Sequence, residues 1–122
     1  MFLNIKDASN KFYQKSELNK PLYKYLIDKK NSGAKIILLT SACSKMLDVK
    51  KYWLQSNCPL VEFDDYISAS IDINKTQIMI SYVKYNGINI SDIILIDDSC
   101  IERRVAEESG ILTYNPQLIM NK

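Results

Sequence analysis

Between Ile93 and Ser99 the chain reads IILIDDS, an apolar run that ends in two adjacent carboxylates, Asp97 and Asp98, and a serine. Adjacent carboxylates repel each other, and an ionised one is costly to bury unless a cation or a metal compensates it. Residues able to do chemistry recur at the ends of other apolar runs: Asp7 follows FLNIK, and Thr40 follows KIILL. Should those ends meet, carboxylates and a hydroxyl would surround one point. That donor set suits a hard, oxygen-liking cation, and magnesium, which takes one or two carboxylates and keeps several waters, is the simplest candidate. Lys75 or another lysine could share in offsetting the charge. Other chemistries are closed. The chain has no histidine, which excludes Ser-His and Cys-His catalysis, and Cys43, Cys58 and Cys100 show no CxxC spacing that would favour zinc.

The elements that would position these residues follow one grammar: a short apolar run, a polar turn, then a stretch with helical spacing. MFLNIK reads as a first strand. Residues 18–31 read as a helix with Pro21 in its first turn, ending before Gly33. KIILL at 35–39 is the second strand. Ser44 is a natural N-cap for KMLDVKKYWLQSN, in which Met46, Leu47, Tyr52 and Trp53 share a broad face. LVEF at 60–63 reads as a third, shorter strand, followed by an irregular DDYISASIDIN. KTQIMISYVKYN carries Ile78, Tyr82 and Val83 at helical spacing and stops at Gly87, as expected just past a helix. After the strand IILI comes a helix IERRVAEES, with Ile101, Val105 and Ala106 inward and Gly110 at its end, and then a last strand ILTY. Pro59 and Pro116 mark turns. Strands that alternate with helices, several of them continuous apolar runs, predict a parallel sheet covered on both sides, a doubly wound, three-layer α/β/α domain. In such a sheet ligands bind beyond the carboxyl ends of the strands, where Asp7, Thr40, Asp97 and Asp98 fall.

Bulk composition agrees. At 122 residues the chain is one domain, residues 1–122, with no internal repeat, low-complexity tract or linker. Hydrophobic residues make up 47% and charged residues 25%, as in an ordinary folded domain. The net charge of +2 arises from scattered lysines rather than a basic block, so it gives no specific nucleic-acid signal. The absence of a membrane-length apolar run and of a secretion signal in MFLNIKDASNK, with cysteines in no disulfide pattern, predicts a cytoplasmic protein with reduced thiols.

Taken together the pieces resemble the haloacid dehalogenase (HAD) superfamily, a group consisting mostly of magnesium-dependent phosphatases. KIILLTS resembles its second motif and would give Thr40 the phosphate-binding role. NKTQIMISYVKYNGINISDIILIDDS resembles the third and fourth motifs: Lys75 would pair with phosphate and nucleophile, and Asp97 and Asp98 would position magnesium. CIERRVAEESGILTYNP is similar to the helix and Gly-Ile strand that follow. The first motif departs from the pattern. The family has an apolar strand, a nucleophilic Asp, any residue, a second Asp, and a Thr two positions later. In the preferred register, DASNKFY, Asp7 is the nucleophile and a metal ligand, Ser9 stands where the acid/base Asp belongs, and Lys11 replaces the Thr. In the rival register, LNIKDA, Asn4 takes the nucleophile position and Lys6 the acid/base position.

Each register has a chemical consequence. The second carboxylate normally protonates the leaving group and later activates water against the aspartyl phosphate, help that gives about 10²–10⁴-fold. Serine does neither near neutral pH, so Ser9 implies a slow or specialised enzyme; the rival register leaves no nucleophile. Only 33 positions separate Asp7 from Thr40 and 35 separate Thr40 from Lys75, which leaves no room for a cap domain. Capless relatives act on macromolecules or borrow a lid from a neighbouring subunit, so the resemblance implies a phosphorylated substrate that is either macromolecular or closed in by a lid from a homo-oligomer or partner protein. Two functions stand: a capless magnesium-dependent phosphatase, or a degenerate HAD-like domain that binds a protein or nucleic-acid partner without turnover. The plainer uses are a helix start for Asp97 and Asp98 with Ser99 as cap, turns for Asp7 and Thr40, a solvated helix start for Lys75, a loop for FDDY at 63–66, surface charge for ERR at 102–104, and buried packing for the cysteines.

Overall fold

The computed structural model describes residues 1–4, 20–40, 44–69 and 74–120. Among the described residues five segments form strands: β1 Phe2–Asn4, β2 Ile37–Thr40, β3 Asp65–Ser68, β4 Ile94–Asp97 and β5 Leu112–Tyr114. They make one sheet in the order β3-β2-β1-β4-β5, and every pairing is parallel. The helices among the described residues are α1 Lys20–Asn31, α2 Ser44–Asn57, α3 Lys75–Asn86, α4 Cys100–Glu108 and a short α5 Gln117–Met120, with a 3-10 turn at Ile90–Asp92.

Side chains alternate across a strand, and here both faces are covered. Leu3, Leu38 and Ile96 enter one cluster with Leu22 and Leu26 of α1 and Leu54 of α2. Phe2, Ile37, Leu39 and Leu95 enter the other, with Met79 and Val83 of α3 and Ala106 of α4. Burial on both sides is why the strands read as unbroken apolar runs rather than alternating ones. The result is the expected α/β domain with a Rossmann-like parallel core. Among the described residues no helix is long and apolar enough to cross a membrane.

Helix ends follow the local chemistry. Asn74 opens α3, its side-chain oxygen accepting from the Gln77 N–H, and Gly87 closes it at φ 68°, a conformation that favours glycine. The Ile88 N–H then reaches back to the Val83 carbonyl at 2.8 Å.

Several elements differ from the sequence reading. The third strand lies at Asp65–Ser68 instead of 60–63. Asp65 pairs with Ile37, the first residue of β2, so residues 60–63 fall before the sheet begins and have no strand beside them, although Val61 and Phe63 are buried. Residues 65–68 form an edge strand and lack the apolar run that marks an interior one. Tyr52 is 74% and Ile101 71% exposed, against expectation. At 3.6 residues per turn, Tyr52 stands about 160° round the helix from buried Leu54, and Ile101 about 140° from buried Ala106. Cys58 is buried as expected, Cys100 is exposed, and Cys43 lies outside the described residues.

Candidate functional site

Strands β1, β2 and β3 progress one way across the sheet and β4 and β5 the other, so the order reverses between β1 and β4. In an open parallel sheet the crevice outside the carboxyl ends at such a reversal is where ligands bind. At this point Asn4 of β1 is in register with Asp97 of β4.

Asp97 is wholly buried. It lies two residues beyond Leu95 and so shares that residue's face, the one covered by α3 and α4. The first residue of α3, Lys75, meets it there: Nζ donates to Oδ2 at 3.0 Å, with only 3% of Lys75 exposed. The Ser99 N–H donates to Oδ1 at 2.9 Å, and Arg103 Nη1 donates to the Asp97 carbonyl at 2.7 Å. An ammonium and a backbone N–H thus compensate the carboxylate that ends the apolar strand. Ser99 caps α4 by accepting from the Glu102 N–H at 3.3 Å. Asp98 is half-buried beside this arrangement.

Thr40 ends β2 on the same rim, buried, but with the parity of Leu38, so it faces the α1 and α2 layer. Lys50 of α2 donates from Nζ to Thr40 Oγ1 at 3.1 Å. The Thr40–Lys50 and Asp97–Lys75 pairs therefore rise on opposite faces of the sheet with β1 between them, two strand spacings or about 10 Å apart. Lys50 was not singled out from sequence, yet a signal was present. Leu47, Lys50 and Leu54 recur at i, i+3 and i+7, which places a lysine within an apolar stripe.

Of the residues expected at the site, Lys75 and Asp97 are joined directly, Asp98 adjoins them, and Thr40 stands on the same rim. Asp7 and Ser9, with Lys6 and Lys11, lie outside the described residues. Asp64 and Asp65 belong to the opposite, amino edge. Asp64 takes a bond from Lys30 Nζ at 2.7 Å and from the Ile36 N–H at 2.7 Å. Desolvation, the largest single influence, pushes its pKa up, but those hydrogen bonds and the charges of Lys30 and Lys35 together hold it below the usual carboxylate value.

Magnesium asks a protein for one or two carboxylates with water completing the shell. Asp97 and Asp98 are the carboxylates at hand, but both Asp97 oxygens already accept bonds, from Lys75 and from the Ser99 N–H. Lys75 already balances one of those charges, and among the described residues no group of three or more Asp, Glu, Cys or His side chains is gathered for a metal. A magnesium ion here would rest on Asp97 and Asp98 and on water, with Asp7 the further ligand implied by the preferred register. No protein-family model, curated protein or solved structure matches this chain.

Proposed function

We propose that the chain is a capless, HAD-like domain that holds a phosphorylated ligand at the reversal of its sheet, with little or no turnover. Thr40 and Lys75 supply the hydroxyl and ammonium for phosphoryl oxygens, and Asp97 and Asp98 the carboxylates for magnesium, which when bound would neutralise ligand charge. The observation that carries this reading is the register of β1. The residue level with Asp97 is Asn4, and an amide does not attack phosphorus as a carboxylate does. Asp7 stands three residues further along, up to about 10 Å of extended chain. A domain without a cap suits a phosphoryl group carried on a macromolecule, or a lid supplied by a second copy or partner protein.

The experiment measures magnesium-dependent hydrolysis of p-nitrophenyl phosphate and binding of inorganic phosphate for wild type, Asp7→Asn and Thr40→Val. Phosphate binding that Thr40→Val weakens, with no hydrolysis above the Asp7→Asn background, is the expected result. Hydrolysis abolished by Asp7→Asn would overturn it in favour of a slow phosphatase, in which Asp7 attacks and Ser9 replaces the acid/base residue.

A further inference from the structure

Thr76 follows Lys75 at the start of α3 and is 3% exposed, yet its Oγ1 is buried without a hydrogen-bond partner among the described residues. Buried hydroxyls in native proteins nearly always have a partner, and one left without is destabilising. Its direction follows from helical phase. Thr76, Met79 and Val83 occupy positions i, i+3 and i+7, and the latter two pack into the cluster between α3 and the sheet. Thr76 therefore faces inward one turn nearer the helix start, at the carboxyl rim where Lys75 reaches Asp97.

That start belongs to a 12-residue helix, whose amino end carries partial positive charge and backbone N–H groups. A hydroxyl donor, an ammonium and a helix start on adjacent residues together suit a tetrahedral oxyanion. We infer that Thr76 is an additional ligand contact. Its Oγ1 donates a hydrogen bond to an oxygen of the phosphoryl group that Lys75 attracts, so that two successive residues of one helix recognise a phosphate monoester or free phosphate. This rests on the phosphoryl-binding reading and adds to it a specific donor.

The test compares wild type, Thr76→Val, Thr76→Ala and Thr76→Ser, with inorganic phosphate as probe, with and without magnesium. Thermal midpoints are read without phosphate, and affinity by isothermal titration. Valine keeps the shape and removes the hydroxyl. If Oγ1 awaits a ligand, Thr76→Val has an unchanged or higher midpoint without phosphate and binds phosphate about tenfold to a hundredfold more weakly. Thr76→Ser stays close to wild type, and Thr76→Ala repeats the loss of affinity should valine fail to fold. Wild-type affinity in Thr76→Val overturns the inference, including the case where its midpoint falls, which would mark a hydroxyl satisfied by an internal water. Phosphate binding weakened by Thr40→Val but not by Thr76→Val overturns the role of Thr76 alone. No phosphate binding by wild type overturns this inference and the reading beneath it together.

Discussion

Lys75 Nζ and Asp97 Oδ2 meet at 3.0 Å with both side chains enclosed, the ammonium from the first residue of α3 and the carboxylate from the last residue of β4. Two elements separated by 22 positions are thereby pinned at one corner of the sheet. The pinning depends on local structure at each end. Asn74 caps α3 and sets where Lys75 leaves the helix, and strand alternation turns Asp97 toward that helix.

Breaking this pair from one side is expected to be severe. Lys75→Met leaves a buried carboxylate uncompensated, a change that costs about 3–5 kcal/mol, whereas Lys75→Met with Asp97→Leu recovers much of the loss because no charge remains. Urea unfolding of the two single variants and the double variant measures this. Single variants within about 1 kcal/mol of wild type would mean that the pair behaves as a solvated surface contact instead.

The cap of α4 is a smaller and separable term. Ser99 Oγ accepts from the Glu102 N–H, and removing it by Ser99→Ala is expected to lower stability by about 0.5–2 kcal/mol. Asp97 keeps its bond from the Ser99 backbone N–H in that variant, so the effect on the Lys75 pair is slight. Equilibrium unfolding shows whether Ser99→Ala and Lys75→Met add, as independent terms should.

At the far edge of the sheet Asp64 predicts a pH dependence. Its folded pKa lies below its unfolded value, because Lys30 and the Ile36 N–H outweigh the desolvation that opposes them. A depressed carboxylate contributes stability that is complete above the unfolded pKa, about 3.9, and is lost as pH falls through the folded value. The stability difference between wild type and Asp64→Asn should therefore be present at neutral pH and shrink below about pH 4. A difference unchanged from pH 7 to pH 3 would show that the ion pair is not its source.

Much of this architecture was legible because the apolar runs of the interior strands are buried on both faces. KIILL and IILI announce interior strands, and Gly87 and the Ser99 cap announce helix limits through local chemistry alone, whereas the Asn74 cap of α3 emerges only in the structure. The third strand was illegible for the complementary reason: Asp65–Ser68 lies at an edge, half-exposed, while the apolar alternation of Val61 and Phe63 belongs to a segment outside the sheet. At the site, strand-end chemistry pointed to Thr40 and Asp97, but their separation onto opposite faces is a matter of parity relative to the core. It emerges only when Leu38 and Leu95 are assigned to different clusters. Lys50 and Thr76 were passed over because each stands within a buried helical stripe, where an apolar partner is the ordinary expectation.

The cysteines give a chemical check on burial. Burial pushes the Cys58 thiol up to about 12, so it remains protonated and unreactive near pH 8, while Cys100 is exposed at the first residue of α4. Iodoacetamide at pH 8 followed by peptide mass mapping should label Cys100 and spare Cys58, with both labelled in urea. Rapid native labelling of Cys58 would contradict the packing of α2 against the sheet.

If the register of β1 is what withholds turnover, restoring carboxylates in that register should supply it. Asn4 is level with Asp97, and under the proposed HAD-like reading position 6 is the acid/base position of that register. Asn4→Asp with Lys6→Asp is expected to gain magnesium-dependent hydrolysis of p-nitrophenyl phosphate, and Asn4→Asp alone less by about 10²–10⁴-fold for want of an acid/base group. The added carboxylate beside Asp97 also increases repulsion at the rim, so magnesium should raise the unfolding midpoint of the double variant more than that of wild type. Adding Asp7→Asn should leave the gained activity intact. Loss of that activity on adding Asp7→Asn would place the nucleophile at Asp7, and an inactive double variant that still binds phosphate would show that more than two residues of the first motif are missing.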